Sequence, residues 1–300
     1  MPLIPVNELL AHALIEGYAV GYFESWNLES LQGVIDAAEA TDSPIMVGFN
    51  GEFMSHSERL TEERLSWYAS LGKAAAESTA VPCSLIFNEC AQDEWIRNAV
   101  VLGFSQVMLD DPGVPREEYV HRVRQLTAFA HSHGVAMEAE AGHLPSGAEG
   151  TVDTKEASST DPETAADFVD ETGIDILSIS VGNVHVLLDG ELGLDLERLA
   201  TIREKVKIPL DLHGGSGIAL DDLKAAIGLG VAKVCYGTYV KQRYLEAVRT
   251  ALGSNQENPH LLLGYGAEED VLVTGRKAVR EAVLERIEYL GSCGKARNHG

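Results

Sequence analysis

Residues 208–238 read IPLDLHGGSGIALDDLKAAIGLGVAKVCYGT, and the fold follows from how this stretch is divided. A short apolar run (208–212) ends at His213, a glycine-rich turn follows, and a helix begins near Asp221. A second β-branched run (231–236) then ends in Gly237 and Thr238. Run, turn, helix and run make a βαβ unit, which places the two runs as parallel strands. Working outward, runs of the same kind occur at 18–23, 44–49, 82–87, 105–109, 134–139 and 175–181. Helical patterns lie between them, such as Leu196, Leu199 and Ile202 on one face of residues 195–206. Asp161 before Pro162 reads as a helix start, with an N-cap carboxylate and proline in the first turn. Eight strands alternating with helices over about 250 residues predict an α/β chain closed as a (β/α)8 TIM barrel. A doubly wound sheet is the competing arrangement. The expected organisation is a single barrel domain over residues 1–300, with a C-terminal helical extension from about 239 to 300. That extension carries expected helices at 239–253 and 274–290. Residues 144–159, LPSGAEGTVDTKEASS, read as a long polar loop suited to a mobile active-site lid.

Composition bounds the function. The chain is 45% hydrophobic with a formal charge of −23, a field that repels phosphate backbones and anionic membranes. No nucleic-acid or membrane partner is therefore expected. An anionic substrate would need a local positive site made by a metal, by helix N-termini or by a few basic side chains. No apolar run approaches the roughly 18 residues of a membrane span. The opening residues, MPLIPVNELLAHALIEG, lack a basic segment and carry Glu8, unlike a signal peptide. Cys83, Cys90, Cys235 and Cys293 are scattered without paired spacing, which fits free thiols in a reducing, cytoplasmic setting.

In a parallel barrel the chemistry lies at the C-terminal ends of the strands. Glu24 follows the first run, Asn50 the second, and Asn88 and Glu89 the third. Asp110 and Asp111 follow the fourth, and Glu138, Glu140 and His143 end the fifth. Asn183 and His185 follow the sixth, His213 the seventh, and Gly237 and Thr238 the eighth. Two histidines with a carboxylate make a familiar catalytic zinc set, so Glu89, His185 and His213 are candidate ligands. The competing reading has these histidines hydrogen-bonding loop carbonyls. The HGGSG turn supplies Gly214, Gly215 and Ser216, and the eighth strand supplies Gly237 and Thr238. Their backbone amides can cradle a phosphate at the place where barrels frequently bind one.

These motifs resemble the class II, zinc-dependent ketose-bisphosphate aldolases, which include the fructose- and tagatose-bisphosphate aldolases. GYAVGYF with NLESLQGVIDAAEATDSPIM resembles that family's first βα unit, and EAEAG its fifth-strand V-E-A-E-L-G. TDPETAADFVDETGIDILSISVGNVH resembles the sixth-strand region, PLDLHGGSGI with LGVAKV the seventh and eighth, and ERIEYLGSCGKA the C-terminal helix. The resemblance covers nearly the whole chain. It implies zinc or another divalent metal held in part by His185 and His213, and retro-aldol cleavage through a zinc-stabilised enediolate. It also implies phosphate binding by Gly214, Gly215, Ser216, Gly237 and Thr238. Glu149, in SGAEG, is the nearest counterpart of a catalytic glutamate on the family's mobile loop, and Glu138 and Glu140 match acids that support the site or bind a second cation. The family assembles as homodimers or homotetramers, and an arginine of its C-terminal helix can reach a neighbour's phosphate site. Arg280 and Arg286 lie in the matching helix, and both read as solvated helix charges.

The departures cluster at the site. The family's third strand ends in H-L-D-H-H or H-L-D-H-G, whereas this chain has Ile86, Phe87, Asn88, Glu89 and Cys90. Asn88 stands where the family has an acid/base Asp and takes up no proton at neutral pH. Glu89 stands where the family has a ligand His. Cys235 replaces a substrate-binding Asn, Val186 follows His185 in place of Gly, and Glu24, Ser25 and Trp26 replace an Asn-containing motif. The expectation is a class II aldolase-like lyase of carbohydrate metabolism, acting on a ketose or ketose phosphate other than fructose 1,6-bisphosphate. The expected catalytic residues are Asn88, Glu149 and Glu140, with Glu24 binding substrate; proton transfer would fall to Glu149, Glu24, Glu140 or metal-bound water. The alternatives are a metal-dependent sugar epimerase or isomerase, or a non-catalytic homologue that binds a sugar phosphate.

Overall fold

The computed structural model describes residues 3–142, 144, 159–253 and 256–298. Eight parallel strands close into a barrel in sequence order. They are β1 (Val20–Glu24), β2 (Ile45–Asn50), β3 (Cys83–Cys90), β4 (Gln106–Leu109), β5 (Ala136–Ala141), β6 (Ile176–Ile179), β7 (Leu210–Leu212) and β8 (Val231–Tyr236). The helices up to β5 are α1 (Val6–Glu16), α2 (Leu28–Ala40), the short α3 (Gly51–Ser55), α4 (Leu65–Ser78), α5 (Asp93–Leu102) and α6 (Arg116–Ser132). After β5 come α7 (Pro162–Thr172), α8 (Leu196–Lys205), α9 (Leu220–Gly228), α10 (Thr238–Leu252), α11 (Pro259–Leu262) and α12 (Val271–Leu290). The expected (β/α)8 barrel is the observed fold. Among the described residues no helix is long and apolar enough to cross a membrane.

Side chains alternate between two apolar layers because strand residues point to opposite faces with a period of two. Phe23, Val47, Leu85, Phe87 and Val107 face the surrounding helices and form the larger cluster with them. Tyr22, Met46, Ile86 and Ile176 fill the barrel interior, and Val6, Leu9, Leu10 and Ala13 of α1 join that inner cluster. At the other end of the chain, α12 packs against α2 and α10, and Arg276 of α12 clamps Asp36 of α2 with contacts of 2.5 and 2.6 Å. Asp161 caps α7 by accepting from the Thr164 amide at 2.9 Å, with Pro162 in the first turn, as expected.

β1, β2, β3 and β5 run further towards the barrel mouth than their apolar runs suggest, whereas β6 stops at Ile179, short of its run. β3 continues through Asn88 and Glu89 to Cys90, with Asn50 opposite Asn88 and Leu109 opposite Cys90. β5 covers Ala136–Ala141 instead of 134–139, so Glu138 and Glu140 pair in register with Ile176 and Ser178. The ladder is made by backbone groups, so it persists where the side chains turn polar. The candidate residues of β3 and β5 are thereby held on rigid strands.

Phe87 is fully buried, with its ring 5.5 Å from that of Phe104 and 6.5 Å from that of Trp95. Truncation to alanine removes these ring contacts and should cost about 3–5 kcal/mol. Denaturant unfolding of Phe87→Ala checks this; a loss below about 1 kcal/mol would contradict the packing described.

Candidate active site at the barrel mouth

The site is organised by an exception to strand alternation. Ile86 faces the barrel interior and Phe87 the helices, so Asn88 follows inward and Glu89 should point outward. Instead, Glu89 takes a left-handed backbone with φ of 48°, and the β3–β4 register shifts between Phe87 and Cys90. That conformation costs about 1–3 kcal/mol in a non-glycine residue and persists only where surrounding contacts enforce it. The enforcing contacts are visible. Asn50, at the tip of β2, donates its Nδ2–H to Glu89 Oε2 at 2.5 Å. Glu89 Oε1 lies 2.5 Å from His213 Nδ1 and 3.5 Å from His185 Nδ1. Two successive residues of β3 therefore address the mouth.

His213 follows the last residue of β7 and is only 1% exposed. His185 arrives on the segment after β6, and the two imidazoles meet edge-on at 5.5 Å. Gly214 makes this approach possible. It has φ of 68°, and a Cβ there would lie 1.7 Å from the Val184 carbonyl oxygen. Asn183 fastens the same junction, donating to the Ile179 carbonyl at 3.2 Å and the His213 carbonyl at 3.0 Å, and accepting from the Val181 amide at 2.9 Å. Glu89, His185 and His213 each offer one ligand atom, all within 4.8 Å of one another. Two imidazole nitrogens and a carboxylate oxygen are a chemically suitable donor set for a divalent cation. Asn50 occupies Glu89 Oε2 and leaves Oε1 for the cluster, so the residues present fit a metal. Burial works to raise the Glu89 pKa, but the charges and hydrogen bonds of His213, His185 and Asn50 together bring it down to about 2.

The chain matches the model of the class-II fructose-bisphosphate aldolases over residues 4–295. It belongs to that family. It is 36% identical over 281 residues to the YdjI protein of Escherichia coli (strain K12), covering 93% of this chain and 94% of that one. It is 32% identical over 302 residues to the sulfofructosephosphate aldolase of Alkalicoccus urumqiensis, covering 100% of both. The crystal structure of the YdjI aldolase from E. coli K12 superposes with a TM-score of 0.82 at 32% identity, over 98% of this chain and 99% of that one. The protein is accordingly a class II aldolase, a lyase whose family acts on sugar phosphates and is generally metal-dependent.

The aldolase places the remaining candidate residues around the mouth. Asn88 is buried, and its Oδ1 has no partner among the described residues. Glu140, near the end of β5, is driven up to about 8, by burial first and the Asp110 carboxylate second, against the pull of His213 and the Leu144 amide. A cavity of about 290 Å³ opens beside it, lined by Asp110, Tyr119, Thr164 and Phe168 among others. Across the mouth, Glu24 accepts from Lys241 Nζ at 2.5 Å, and a Cβ on Gly237 would lie 2.5 Å from Glu24 Oε2. Gly215 and Ser216 open a 3-10 turn, and Ser216 Oγ accepts from the Tyr239 amide at 3.2 Å, which ties the HGGSG turn to the start of α10, at Thr238. Glu149 and His143, with nearly all of the expected lid, lie outside the described residues.

Two expectations need amendment. Arg286 is not a solvated helix charge: its side chain is 12% exposed and lies over the Tyr239 ring at 4.1 Å and the Tyr289 ring at 5.1 Å. A planar guanidinium stacks on aromatic faces in a way that helical periodicity does not reveal. Asp111 is held by Arg122 at 2.6 Å, an ion pair between the β4 tip and α6. Sequence reading also passed over Asp211, Lys233 and Lys241. The first two carried a signal, since each lies two residues before a residue of the barrel interior, His213 and Cys235, on a strand of period two.

The raised Glu140 group has a consequence for stability. The folded chain binds this proton between an unfolded value near 4.3 and about 8, whereas the unfolded chain has lost it. Stability of the metal-free protein should therefore fall as pH rises through that window. Glu140→Gln should flatten that part of the profile. Thermal midpoints of both proteins from pH 5 to 9, in chelator, provide the check; parallel profiles contradict the assignment.

Proposed function

We propose that this protein is a divalent-metal-dependent aldolase that cleaves a ketose phosphate other than fructose 1,6-bisphosphate, with Glu89, His185 and His213 holding zinc or a similar ion. The observation that carries this reading is the convergence of those three ligand atoms within 4.8 Å, beside an asparagine where the family has its acid/base aspartate. A bound divalent ion supplies Lewis-acid polarisation of a ketose carbonyl. A relative named for sulfofructosephosphate that spans the whole chain supports a substrate beyond fructose 1,6-bisphosphate.

The protein's own side chains divide the rest of the work. Cleavage requires a base to take the proton of the hydroxyl on the carbon leaving as aldehyde. The C–C electron pair stays on the ketone fragment, which is then protonated on carbon. Asn88 donates a hydrogen bond from its amide to a substrate oxygen but moves no proton. Glu140, with a pKa near operating pH, gives and takes the proton, and the adjacent cavity receives the aldehyde fragment. The amides of Gly214, Gly215 and Ser216, with those of Gly237 and Thr238, hold the phosphate, and Glu24 contacts a substrate hydroxyl. Glu149 is a second proton carrier on the loop. The assembly is a homodimer or homotetramer located in the cytoplasm.

Elemental analysis should show about one divalent ion per chain, lost in Glu89→Ala while the circular dichroism of the barrel is unchanged. Glu140→Gln should lower kcat by about 10²- to 10⁴-fold. A screen of ketose mono- and bisphosphates, with fragments trapped by a triose dehydrogenase, tests the reaction itself. An isomeric sugar without fragments would identify an epimerase, and binding without turnover a non-catalytic homologue.

A further inference from the structure

Directly beneath the ligand cluster lies a set of charged side chains that the proposed reaction does not use. Lys233 of β8, Glu138 of β5 and Asp211 of β7 are all 0% exposed. Lys233 Nζ donates to Glu138 Oε2 at 2.5 Å and lies 3.0 Å from Asp211 Oδ2. Gln106 of β4 also donates to Glu138 Oε2, which leaves Oε1 facing His213 Nε2 at 3.2 Å. Asp211 Oδ2 is 3.2 Å from the same His213 nitrogen and accepts from Cys235 Sγ at 3.2 Å. Four strands thus converge below one imidazole.

Asp211, His213 and Cys235 could by geometry hold a cation of their own. Lys233 argues against a second metal there, because its ammonium already occupies the cation position between Asp211 and Glu138. Nor is the set explained by stability. Removing three charges from water costs several kcal/mol each, and a well-packed apolar substitute is commonly as stable or more so. What the network does provide is two acceptors for one ring nitrogen. His213 Nδ1 faces the Glu89 carboxylate and Nε2 faces those of Glu138 and Asp211, so a divalent cation that takes Nδ1 leaves the ring proton on Nε2, between two acceptors.

We propose that the Lys233–Asp211 ion pair, together with Glu138, positions His213: it holds the ring with Nε2–H towards the two carboxylates and Nδ1 towards a divalent cation shared with Glu89. This rests on the reading of Glu89, His185 and His213 as metal ligands. Lys233 Nζ lies 2.5 Å from Glu138 and 3.0 Å from Asp211, and so fixes the two buried side chains whose oxygens face the ring. Histidine ligands are tuned in this manner by carboxylates behind them, and loss of the partner weakens metal binding by about 10- to 100-fold.

The test compares Zn²⁺ affinity, by competition with a chromophoric chelator, and the visible spectrum of the Co²⁺-loaded protein. Asp211→Asn keeps the shape, but its amide can present N–H to Nε2 and so favour the other tautomer. Asp211→Leu combined with Lys233→Met removes both charges together and guards against a misfolded single variant. Both should bind Zn²⁺ about 10- to 100-fold more weakly and shift the Co²⁺ absorption bands, while the metal-free double variant melts within a few degrees of the wild type. Wild-type affinity and an unchanged Co²⁺ spectrum in the folded variants would overturn the proposal. Glu89→Ala separates the two readings. If it loses metal and the Asp211 variants do not, only the positioning role fails; if Glu89→Ala binds Zn²⁺ like the wild type, the ligand assignment fails and the positioning role with it.

Discussion

One carboxylate governs the geometry of the barrel mouth. Glu89 draws together Asn50 from β2, His213 from β7 and His185 from the segment after β6, and does so from a left-handed backbone on β3. Such a conformation is uphill by itself, and so is burying a charged carboxylate. Each cost is offset by the same contacts: an amide donor on one oxygen and imidazole nitrogens on the other. The register shift between β3 and β4 follows, because turning Glu89 inward leaves an extra residue to accommodate before Cys90 pairs with Leu109. Moving any member of the group would require the strand ends to move with it.

The electrostatics of the molecule set a second constraint. With 46 acidic and 23 basic side chains, long-range attraction cannot deliver an anionic substrate to this mouth. The basic side chains near the site are also engaged: Lys233 with Glu138 and Asp211, Lys241 with Glu24, and Arg286 with its tyrosines. Backbone amides of the HGGSG turn and of the start of α10 are short-range donors that carry no net charge, and helix N-termini favour anions only within the first turn. An acidic protein that takes a phosphate in this way selects by contact and not by attraction at a distance.

The barrel was legible because its signals are redundant: eight apolar runs, alternating helices and polar residues after each run all point to one topology. Asn88, Glu89, His185 and His213 were legible as strand-tip residues for the same reason. The direction of Glu89 was not, since period-two counting sends it outward and only the closed barrel shows which partners pull it back. The role of Gly214 in bringing His185 to His213 was equally hidden, because it depends on a contact with Val184 thirty residues earlier. Asp211 and Lys233 were passed over for a different reason. They sit on interior-facing positions of barrel strands, which ordinarily fill with branched apolar side chains, and a charge in such a run reads as surface unless its partner on another strand is known.

The changed third strand and the buried acids of the fifth strand belong to one argument. An Asp–His pair at the β3 tip gives a site both an acid/base group and a neutral ligand. In the proposed site Asn88 carries no proton, and Glu89 brings the negative charge beside the two histidines. A carboxylate nearby disfavours ionisation of a further carboxyl, and Glu89 and Asp110 both add to the burial that holds Glu140 up near 8. The negative charge that the β3 tip carries on Glu89 thus helps keep the Glu140 carboxyl of β5 protonated, on the far side of β4. In the proposed reaction this carboxyl is the proton carrier. It lies beside the cavity lined by Tyr119 and Phe168, where the aldehyde fragment of the proposed reaction would sit.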